Sequence, residues 1–433
     1  MNRPNIVYIH SHDTGRYVAP YGHAVATPNI QWLAEQGVLF RQAFCAAPTC
    51  SPSRAALLTG QCAHSTGMLG LAHRGFKLHD YNQHLVHTLR TAGYYSALAG
   101  MQHVAKDAVA IGYDAIIGTP AVAEVAAKEF LDNAPQQPFF LDVGFAETHR
   151  MGNSHFTSPG PDGDARYCLP PPALPDVSEV RQDMADFKVA AQILDQKMGI
   201  VFEALEVNGL TDNTLVICTT DHGLAFPGMK CNLTDRGIGV MLIMRGPGGF
   251  TDGKVYDSLV SQIDIFPTIC DLLGIEHPAW LQGRSMLPLV SGEVADINEA
   301  IFAGVTHHAA YEPQRAVRTQ RWKYIRRFDE RDSPVLPNCD DSLSKSVWLE
   351  HGWPRRLLAA EQLYDLTFDP QEMSNLVNDA HFVEVLNEMR TRLNTWMQAT
   401  DDPLLRGPVL PPSGSMINDP DGLSPNEPPM AVR

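Results

Sequence analysis

The sequence has little positive charge and no long apolar segment. Its formal net charge is −16 at pH 7, which argues against broad nucleic-acid binding and against adhesion to anionic membranes. No apolar run reaches the length of a transmembrane helix, and the N-terminus shows no apolar segment followed by a cleavage site. We therefore expect a cytoplasmic protein whose partners include neither nucleic acid nor a membrane.

The eight cysteines form neither a CxxC pair nor a Cys/His spacing typical of zinc sites. Because they are scattered at irregular intervals, free thiols in a reducing compartment are the simplest expectation. Internal repeats are also absent. The composition, 44% hydrophobic and 19% charged over 433 residues, suits one large α/β domain with a smaller partner.

Short apolar runs recur in the first part of the chain, at residues 5–9, 94–99, 139–143, 215–219 and 240–244. Helical patterns separate these runs, and the clearest helix is predicted at about 177–207. Such alternation is typical of a large, mostly parallel sheet covered by helices on both faces. Residues 151–176, rich in Gly, Pro, Ser and Asp, are predicted to form a long irregular loop.

The pattern changes near residue 296, where strands of alternating charge precede a helix near 381–397. We expect a large domain over 1–295, a smaller subdomain over 296–400 with an antiparallel sheet and one helix, and an extended Pro-rich tail over 401–433. Since the tail keeps several apolar residues, we expect it to pack on the core or on a second subunit. The second arrangement would make a homo-oligomer.

The most informative segment is CSPSRAALLTGQ, which begins at Cys50. Ser51 is a good N-cap, Pro52 suits the first helical position and Gly60 is a plausible stop, so a helix is predicted beside Cys50. A helix N-terminus favours negative charge, and Arg54 adds a cation one turn in. The segment thus indicates an anion site, and the alternative is an ordinary helix start with a buried structural cysteine.

Candidate metal ligands follow two predicted strands, where sites form in open α/β sheets. Asp13 and Asp221 come after the apolar runs 5–9 and 215–219, and carboxylates suit calcium or magnesium. Their neighbours His12 and His222 suit softer metals. Taken alone, Asp13 could equally serve as a turn or cap residue, whereas Asp221-His222-Gly223 directly after an apolar strand is a strong signal of a metal site.

Three further candidates lie in loops after predicted strands: His103, His149 and Lys230. His103 can act as a general base, His149 can meet an anion, and Lys230 can donate hydrogen bonds to sulfate oxygens. The alternatives are a structural histidine, a histidine at the rim of a loop and a solvated lysine.

CSPSRAALLTG resembles the signature of the type I sulfatases, which is Cys-x-Pro-x-Arg followed by A-x-L-L-T-G. The segments TPNIQWLAEQGVLFRQAF, DHG at 221–223 and QLYDLTFDPQE extend this resemblance to about residue 400. HSTGMLGLAHRGF and VTHHAAYEPQRAVRT are most similar to the sulfamidase group, which includes heparan N-sulfatases. The resemblance implies an alkaline phosphatase-like fold, a catalytic domain over 1–295, and hydrolysis of a sulfate ester or a sulfamate.

In this family the cysteine is oxidised after translation to Cα-formylglycine. The resemblance therefore implies a formylglycine at position 50 and a formylglycine-generating maturation enzyme as a partner. The hydrated aldehyde, bound to a divalent cation, would attack the sulfur atom, and inorganic sulfate would be released. The implied ligands of this cation are Asp13, residue 50, Asp221 and His222, with His12 as an addition. Calcium is the first expectation, and manganese and magnesium are the alternatives.

The resemblance also implies roles around the transferring group. Arg54, Lys230 and His149 would stabilise that group, and His149 or Lys230 would assist the leaving group. His103 would deprotonate the second hydroxyl and so restore the aldehyde.

Substrate binding is predicted for His307, His308 and Arg315 in the sulfamidase-like segment THHAAYEPQR. The alternative is that they only join the C-terminal subdomain to the core. The expected substrate is small and sulfated, such as a sulfated sugar, because the negative net charge would repel a polyanion.

Two positions depart from the family pattern. The family usually has Asp-Asp where this chain has His12-Asp13, and a lysine where Met101 stands. These departures put the metal and the substrate charge in question. Two alternative functions therefore stay open: a phosphonate monoester or phosphodiester hydrolase with the same residues, and a catalytically weak, metal-dependent binding protein.

Overall fold

The computed structural model describes residues 3–151, 155–157 and 162–433. The strands of the first domain are β1 (Asn5–Ser11), β2 (Val38–Phe40), β3 (Ala43–Phe44), β4 (Tyr95–Gly100), β5 (Ala115–Ile117), β6 (Phe139–Gly144), β7 (Thr214–Thr220), β8 (Leu242–Arg245), β9 (Lys254–Tyr256) and β10 (Val260–Ser261). The later strands are β11 (Ile301–His307), β12 (Tyr311–Arg318), β13 (Trp322–Arg327), β14 (Glu361–Asp365), β15 (Met416–Ile417) and β16 (Met430–Ala431).

The α-helices are α1 (Pro28–Gln36), α2 (Cys50–Thr59), α3 (Ala63–Thr66), α4 (Leu85–Thr91), α5 (Ala123–Asp132), α6 (Ser178–Val207), α7 (Asp235–Ile238), α8 (Ile265–Leu273), α9 (Leu287–Val290), α10 (Leu343–Glu350) and α11 (Val383–Ala399). Within the described residues, no helix is both long enough and apolar enough to span a membrane. The helix predicted at 177–207 is confirmed as α6. Of the predicted loop 151–176, residues 152–154 and 158–161 lie outside the described residues.

The main sheet has eight strands in the order β5-β4-β6-β1-β7-β8-β2-β9. The five strands from β5 to β7 run parallel, whereas β8 is antiparallel to both of its neighbours. Alternate residues of β1 face opposite sides: Ile6 and Tyr8 join one apolar core, and Val7 and Ile9 join the other. Burial of both faces favours the continuous apolar strands seen here. The predicted α/β class is therefore confirmed.

A second sheet of four antiparallel strands, β11-β12-β13-β14, follows in the C-terminal part. Helix α11 packs on it through Leu386, Met389 and Leu393, which share a core with Val317 and Leu363 of the sheet. The predicted smaller antiparallel sheet is confirmed, and this part of the chain contains two α-helices, α10 and α11, where one was predicted. After α11 the chain forms a short 3₁₀ helix, Pro403–Arg406, and the small hairpin of β15 and β16.

Helix α2 starts at Cys50 and not after it. Thr49 is the N-cap, and the Ser53 N–H donates to the Thr49 carbonyl at 2.9 Å, which closes the first turn. The prediction that Ser51 caps the helix is wrong, because the Ser51 hydroxyl instead accepts from the backbone N–H of Ala72 at 3.0 Å. The predicted stop is confirmed, since Gly60 ends the helix with φ of 68°, a conformation that glycine adopts without strain.

Candidate active site

The candidate site lies at the carboxyl ends of β1 and β7, two neighbours in the middle of the main sheet. Ser11 and Thr220, the last residues of these strands, are paired, so His12-Asp13 and Asp221-His222 leave the sheet side by side. Backbone N–H groups of Asp13 and His222 both donate to Oδ1 of Asp221, each at 2.9 Å. The two strand ends therefore bring these four residues together at one edge of the sheet.

Helix α2 brings Cys50 to these strand ends. The cysteine side chain is buried, and its Sγ lies 3.3 Å from Nε2 of His222. Nδ1 of His222 lies 3.0 Å from the Gly223 carbonyl, which can only accept, so Nδ1 is the donor and Nε2 faces Cys50. Burial raises the pKa of the Cys50 thiol well above its ordinary value, so the thiol is neutral.

Four buried residues converge beside the helix start. Nδ1 of His12 lies 3.1 Å from Oδ2 of Asp221 and 3.4 Å from Oδ1 of Asp13. One donor atom from each of His12, Asp13, Cys50 and Asp221 lies within 4.8 Å of all the others. His222 adjoins this group, with Nε2 at 3.3 Å from Oδ1 of Asp13. Asp13 also has φ of 54°, an uncommon conformation for a residue other than glycine that clusters at functional sites.

The chemistry of this group fits a divalent cation. Nε2 of His12 is buried and has no hydrogen-bond partner in the described part of the chain. Burial lowers the pKa of His12 to about 3, so the ring is neutral and able to act as a ligand. Burial alone would raise the pKa of Asp13, but Lys230 and His222 outweigh it and hold that pKa well below its usual range. Carboxylate oxygens with one imidazole nitrogen suit calcium less well than manganese or another transition ion.

Arg54 lies behind this group and does not line the cavity described below. Its Nη2 donates to Oδ2 of Asp221 at 3.0 Å and to the Ser11 carbonyl at 2.9 Å. Its Nη1 donates to Nδ1 of His10, so the other ring nitrogen of His10 donates to Asp142 at 2.8 Å. Arg54 therefore holds Asp221 in place from the protein interior.

The hydrogen-bonded network that joins His10 to Asp142 was not predicted from the sequence. Tyr113 completes it, with its hydroxyl 2.5 Å from Oδ2 of Asp142; His10 and Asp142 are buried and Tyr113 is partly buried. A signal did exist, since His10 interrupts the apolar run of β1 and a buried histidine requires a partner.

A cavity of about 200 Å³ opens above Cys50. It is lined by five of the predicted site residues: Cys50, His103, His149, Lys230 and His308. Residues that had not been predicted also line it, among them His73, Arg74 and Asp340. Met101 is not among the lining residues, so the position where the family has a lysine leaves no side chain in this cavity.

Lys230 is a buried ammonium and not a solvated one. Its Nζ lies 3.0 Å from Oδ2 of Asp13 and 2.8 Å from Oδ2 of Asp340. Burial opposes its charge, but the two carboxylates outweigh burial and raise the pKa of Lys230 well above its ordinary value. Burial also opposes ionisation of Asp340, which Lys230 outweighs, lowering the pKa of Asp340 to about 2. Lys230 thus brings a permanent positive charge to the cavity wall.

Two histidine rings, those of His149 and His103, lie against His12. The rings of His149 and His103 lie 4.7 Å and 5.9 Å from the His12 ring, measured between centroids. Nε2 of His103 lies 2.9 Å from Nδ1 of His73, and its own Nδ1 has no partner among the described residues. Burial lowers the pKa of His103 well below its ordinary value. His103 is therefore neutral, and its Nδ1 can accept a proton in the tautomer whose Nε2–H donates to His73.

The three residues predicted to bind substrate separate in the structure. His308 lines the cavity. His307 is buried elsewhere, with Nε2 at 3.1 Å from the Val409 carbonyl. Arg315 lies in another buried network, where Nε and Nη2 contact the carboxylate of Asp402 at 2.6 Å and 3.0 Å. Only His308 of the three is in a position to touch a ligand that also reaches Cys50.

A model of the sulfatase family matches residues 4–128 and 119–275 of the chain, well over half of its length. The chain belongs to the sulfatase family. A second model, described as N-sulphoglucosamine sulphohydrolase, C-terminal, matches residues 229–340 of this sulfatase.

Curated relatives of this sulfatase match it over most of their length. Human N-sulphoglucosamine sulphohydrolase is 29% identical over 89% of this chain and 88% of the relative. An ulvan-active sulfatase of Formosa agariphila is 26% identical over 92% of this chain and 76% of the relative. The sulfatase is accordingly a hydrolase of the sulfate ester and sulfamate class.

Solved structures agree with the fold of the sulfatase. BT4656 in complex with its substrate D-glucosamine-2-N,6-O-disulfate has a TM-score of 0.73 at 19% identity, covering 94% of this chain and 99% of that one. The putative sulfatase yidJ from Bacteroides fragilis has a TM-score of 0.75 at 20% identity, covering 94% and 98%. The predicted alkaline phosphatase-like architecture of the sulfatase is therefore confirmed.

Proposed function

We propose that this sulfatase releases inorganic sulfate from a small sulfated sugar, by way of a formylglycine formed from Cys50. The observation that supports this most is the position of Cys50. It starts a helix at the floor of the cavity, and it adjoins the buried group of His12, Asp13 and Asp221. The names of the curated relatives support a sulfated sugar as the substrate class.

The environment of Cys50 disfavours a reaction through the thiol itself. Reactive cysteines lie in surroundings that lower the thiol pKa, whereas burial raises the pKa of Cys50. A formylglycine at this position, once hydrated, supplies two hydroxyl groups, one as the nucleophile toward sulfur and one from which a proton is removed to restore the aldehyde. A formylglycine-generating enzyme is then a required partner.

The residues that would hold a divalent cation are Asp13, Asp221, His12 and residue 50, with Nε2 of His222 directed at the same place. When bound, the cation lowers the pKa of the attacking hydroxyl and offsets the charge of the sulfate. Arg54 donates to Oδ2 of Asp221 at 3.0 Å from the interior side and so fixes the orientation of that carboxylate.

The cavity walls supply the remaining groups. Lys230 provides a permanent charge that donates to sulfate oxygens, and the helix start at residue 50 favours an anion at the same position. His149, on the cavity wall, protonates the leaving group. His103 is neutral with Nδ1 unpartnered, so it accepts the proton of the second hydroxyl.

The test is release of inorganic sulfate from O-sulfated and N-sulfated glucosamine, with phenyl phosphonate and a phosphodiester as comparison substrates. The protein is co-expressed with a formylglycine-generating enzyme and compared with Cys50→Ala. Cys218→Ala is the matched control, because Cys218 is equally buried but lies within β7, with Sγ 3.9 Å from Sδ of Met198.

We expect wild type and Cys218→Ala to release sulfate, and Cys50→Ala to lose the activity while remaining folded. Turnover by Cys50→Ala close to that of wild type would overturn the role of residue 50. Faster turnover of the phosphorus esters than of every sulfated sugar would overturn the substrate class and favour a phosphonate or phosphodiester hydrolase.

A further inference from the structure

Arg74 is a cation of the cavity to which the proposed mechanism gives no role. It ends a short 3₁₀ helix, Ala72–Arg74, and lines the same cavity as Cys50. Among the residues that the structure describes, its guanidinium has neutral acceptors: Nη1 contacts Oδ1 of Asn418 at 2.5 Å and the Ala309 carbonyl at 3.4 Å, and Nη2 contacts the Pro425 carbonyl at 3.4 Å. The two contacts of 3.4 Å are long, so donor capacity remains for a ligand.

The other cations that line the cavity already have carboxylate partners. Lys230 lies between Asp13 and Asp340, and Nη1 of Arg150 contacts Asp183 at 2.7 Å. Among the described residues, no carboxylate forms an ion pair with Arg74. Because a guanidinium stays charged at every working pH, the cavity holds one positive charge without a counter-ion.

The C-terminal tail fixes the direction of this guanidinium. The Asn418 N–H donates to the Ala309 carbonyl at 2.8 Å, and its side-chain amide donates to the Glu427 carbonyl at 2.8 Å. Because Nδ2 of Asn418 donates to a backbone carbonyl, its Oδ1 is the atom that faces Arg74. Pro425 and Asn426, from the same part of the tail, line the cavity themselves.

We propose that Arg74 binds a second anionic group of the substrate, a carboxylate or a second sulfate, while the first sulfate lies at residue 50. This inference rests on the proposed function. One cavity of about 200 Å³ contains both positions, so a single small sugar is the ligand that spans them. A guanidinium with free donors recognises planar or tetrahedral oxyanions by paired hydrogen bonds. The tail acts through Arg74, with Asn418 as a positioning residue.

The test compares Arg74→Gln, Arg74→Lys and wild type on matched substrates. Glucosamine carrying one sulfate is compared with glucosamine 2-N,6-O-disulfate, and a sulfated uronic acid is compared with its methyl ester. The glucosamine pair tests whether Arg74 binds a second sulfate, and the uronic acid pair tests whether it binds a carboxylate. Arg331→Gln is the control, because Arg331 holds the tail through Asp421 at 2.8 Å but does not line the cavity.

We expect Arg74→Gln to raise KM for the doubly charged member of one pair by about 10- to 100-fold, the loss typical of hydrogen bonds to a charged group. The KM for the singly charged members should change less than about threefold, and kcat should change little. Arg74→Lys should retain part of the preference, and Asn418→Ala should reduce it in the same direction. The control should behave as wild type.

Equal changes for singly and doubly charged substrates, or none, would overturn the inference. So would the same loss in Arg331→Gln, since that result would assign the effect to a loosened tail. The same ligand pairs are also measured by calorimetric binding to Cys50→Ala with and without Arg74→Gln. If wild type releases no sulfate, the proposed function fails, whereas the binding measurement still decides whether Arg74 selects doubly charged ligands.

Discussion

Replacing Asp402 by alanine would leave a buried guanidinium without its counter-ion. Asp402 is fully buried and Arg315 is 1% exposed, and they form two hydrogen bonds of 2.6 Å and 3.0 Å. Asp402 also accepts the Leu404 N–H at 3.1 Å, which caps the 3₁₀ helix after α11. The pair thus joins strand β12 to the start of the tail.

The size of the effect follows from these contacts. Removing one partner of a buried ion pair destabilises a protein by about 3–5 kcal/mol, because the remaining charge stays buried. Loss of a helix cap adds about 1 kcal/mol. We therefore expect Asp402→Ala to lower the free energy of unfolding by roughly 4–6 kcal/mol. The double variant Arg315→Met/Asp402→Leu should lose much less, since it removes both charges.

Urea unfolding followed by circular dichroism measures these differences, and steady-state kinetics on the best sulfated substrate accompany it. Because Arg315 lies outside the cavity, the double variant should keep the kcat and KM of wild type. A loss below about 1 kcal/mol in Asp402→Ala would refute the reasoning on the buried pair. A stable double variant with a raised KM would show instead that Arg315 contacts the substrate.

Three further predictions concern histidines. His12→Asp should shift metal preference from manganese toward calcium, because it replaces a nitrogen ligand by an oxygen; equal metal content and affinity in both proteins would contradict this. His308→Ala should raise KM, since His308 lines the cavity with Nδ1 unpartnered among the described residues; unchanged kinetics would remove it from the substrate site. Burial lowers the pKa of His84 to about 3. His84 in the unfolded chain therefore binds a proton near pH 6.5, whereas in the folded chain it does not. Stability should fall as pH drops below about 6.5, and His84→Asn, which keeps an N-cap side chain, should flatten that dependence; equal slopes would contradict it.

The fold was largely predictable because the central strands are buried on both faces. The apolar runs marked β1, β4, β6 and β7, and the run at 240–244 marked β8. Strand direction was not predictable, since an apolar run carries no sign of it and β8 proves antiparallel. The edge strands β5 and β9 are short and partly exposed, so no apolar run marked them. The domain limits near 295 and 400, and an oligomer through the tail, stay predictions.

The site was predictable where a local motif marked it. The two strand ends and the helix start at Cys50 lead directly to the buried group of His12, Asp13, Cys50 and Asp221. Asp340 and Arg74 were missed because only the folded chain brings the C-terminal part and the loop after α3 to the cavity. His12 belongs to the donor cluster, and the cations Lys230, Arg74 and Arg150 line the cavity, whereas Met101 does not.

The mass of the peptide that contains residue 50, taken from protein that is active in sulfate release, decides the proposed mechanism. Formylglycine in place of cysteine lowers that mass by about 18 Da. We predict that the lighter peptide is present in active protein and that its fraction rises in proportion to sulfatase activity when maturation is varied. Full activity in protein whose residue 50 is entirely unmodified cysteine would contradict the mechanism.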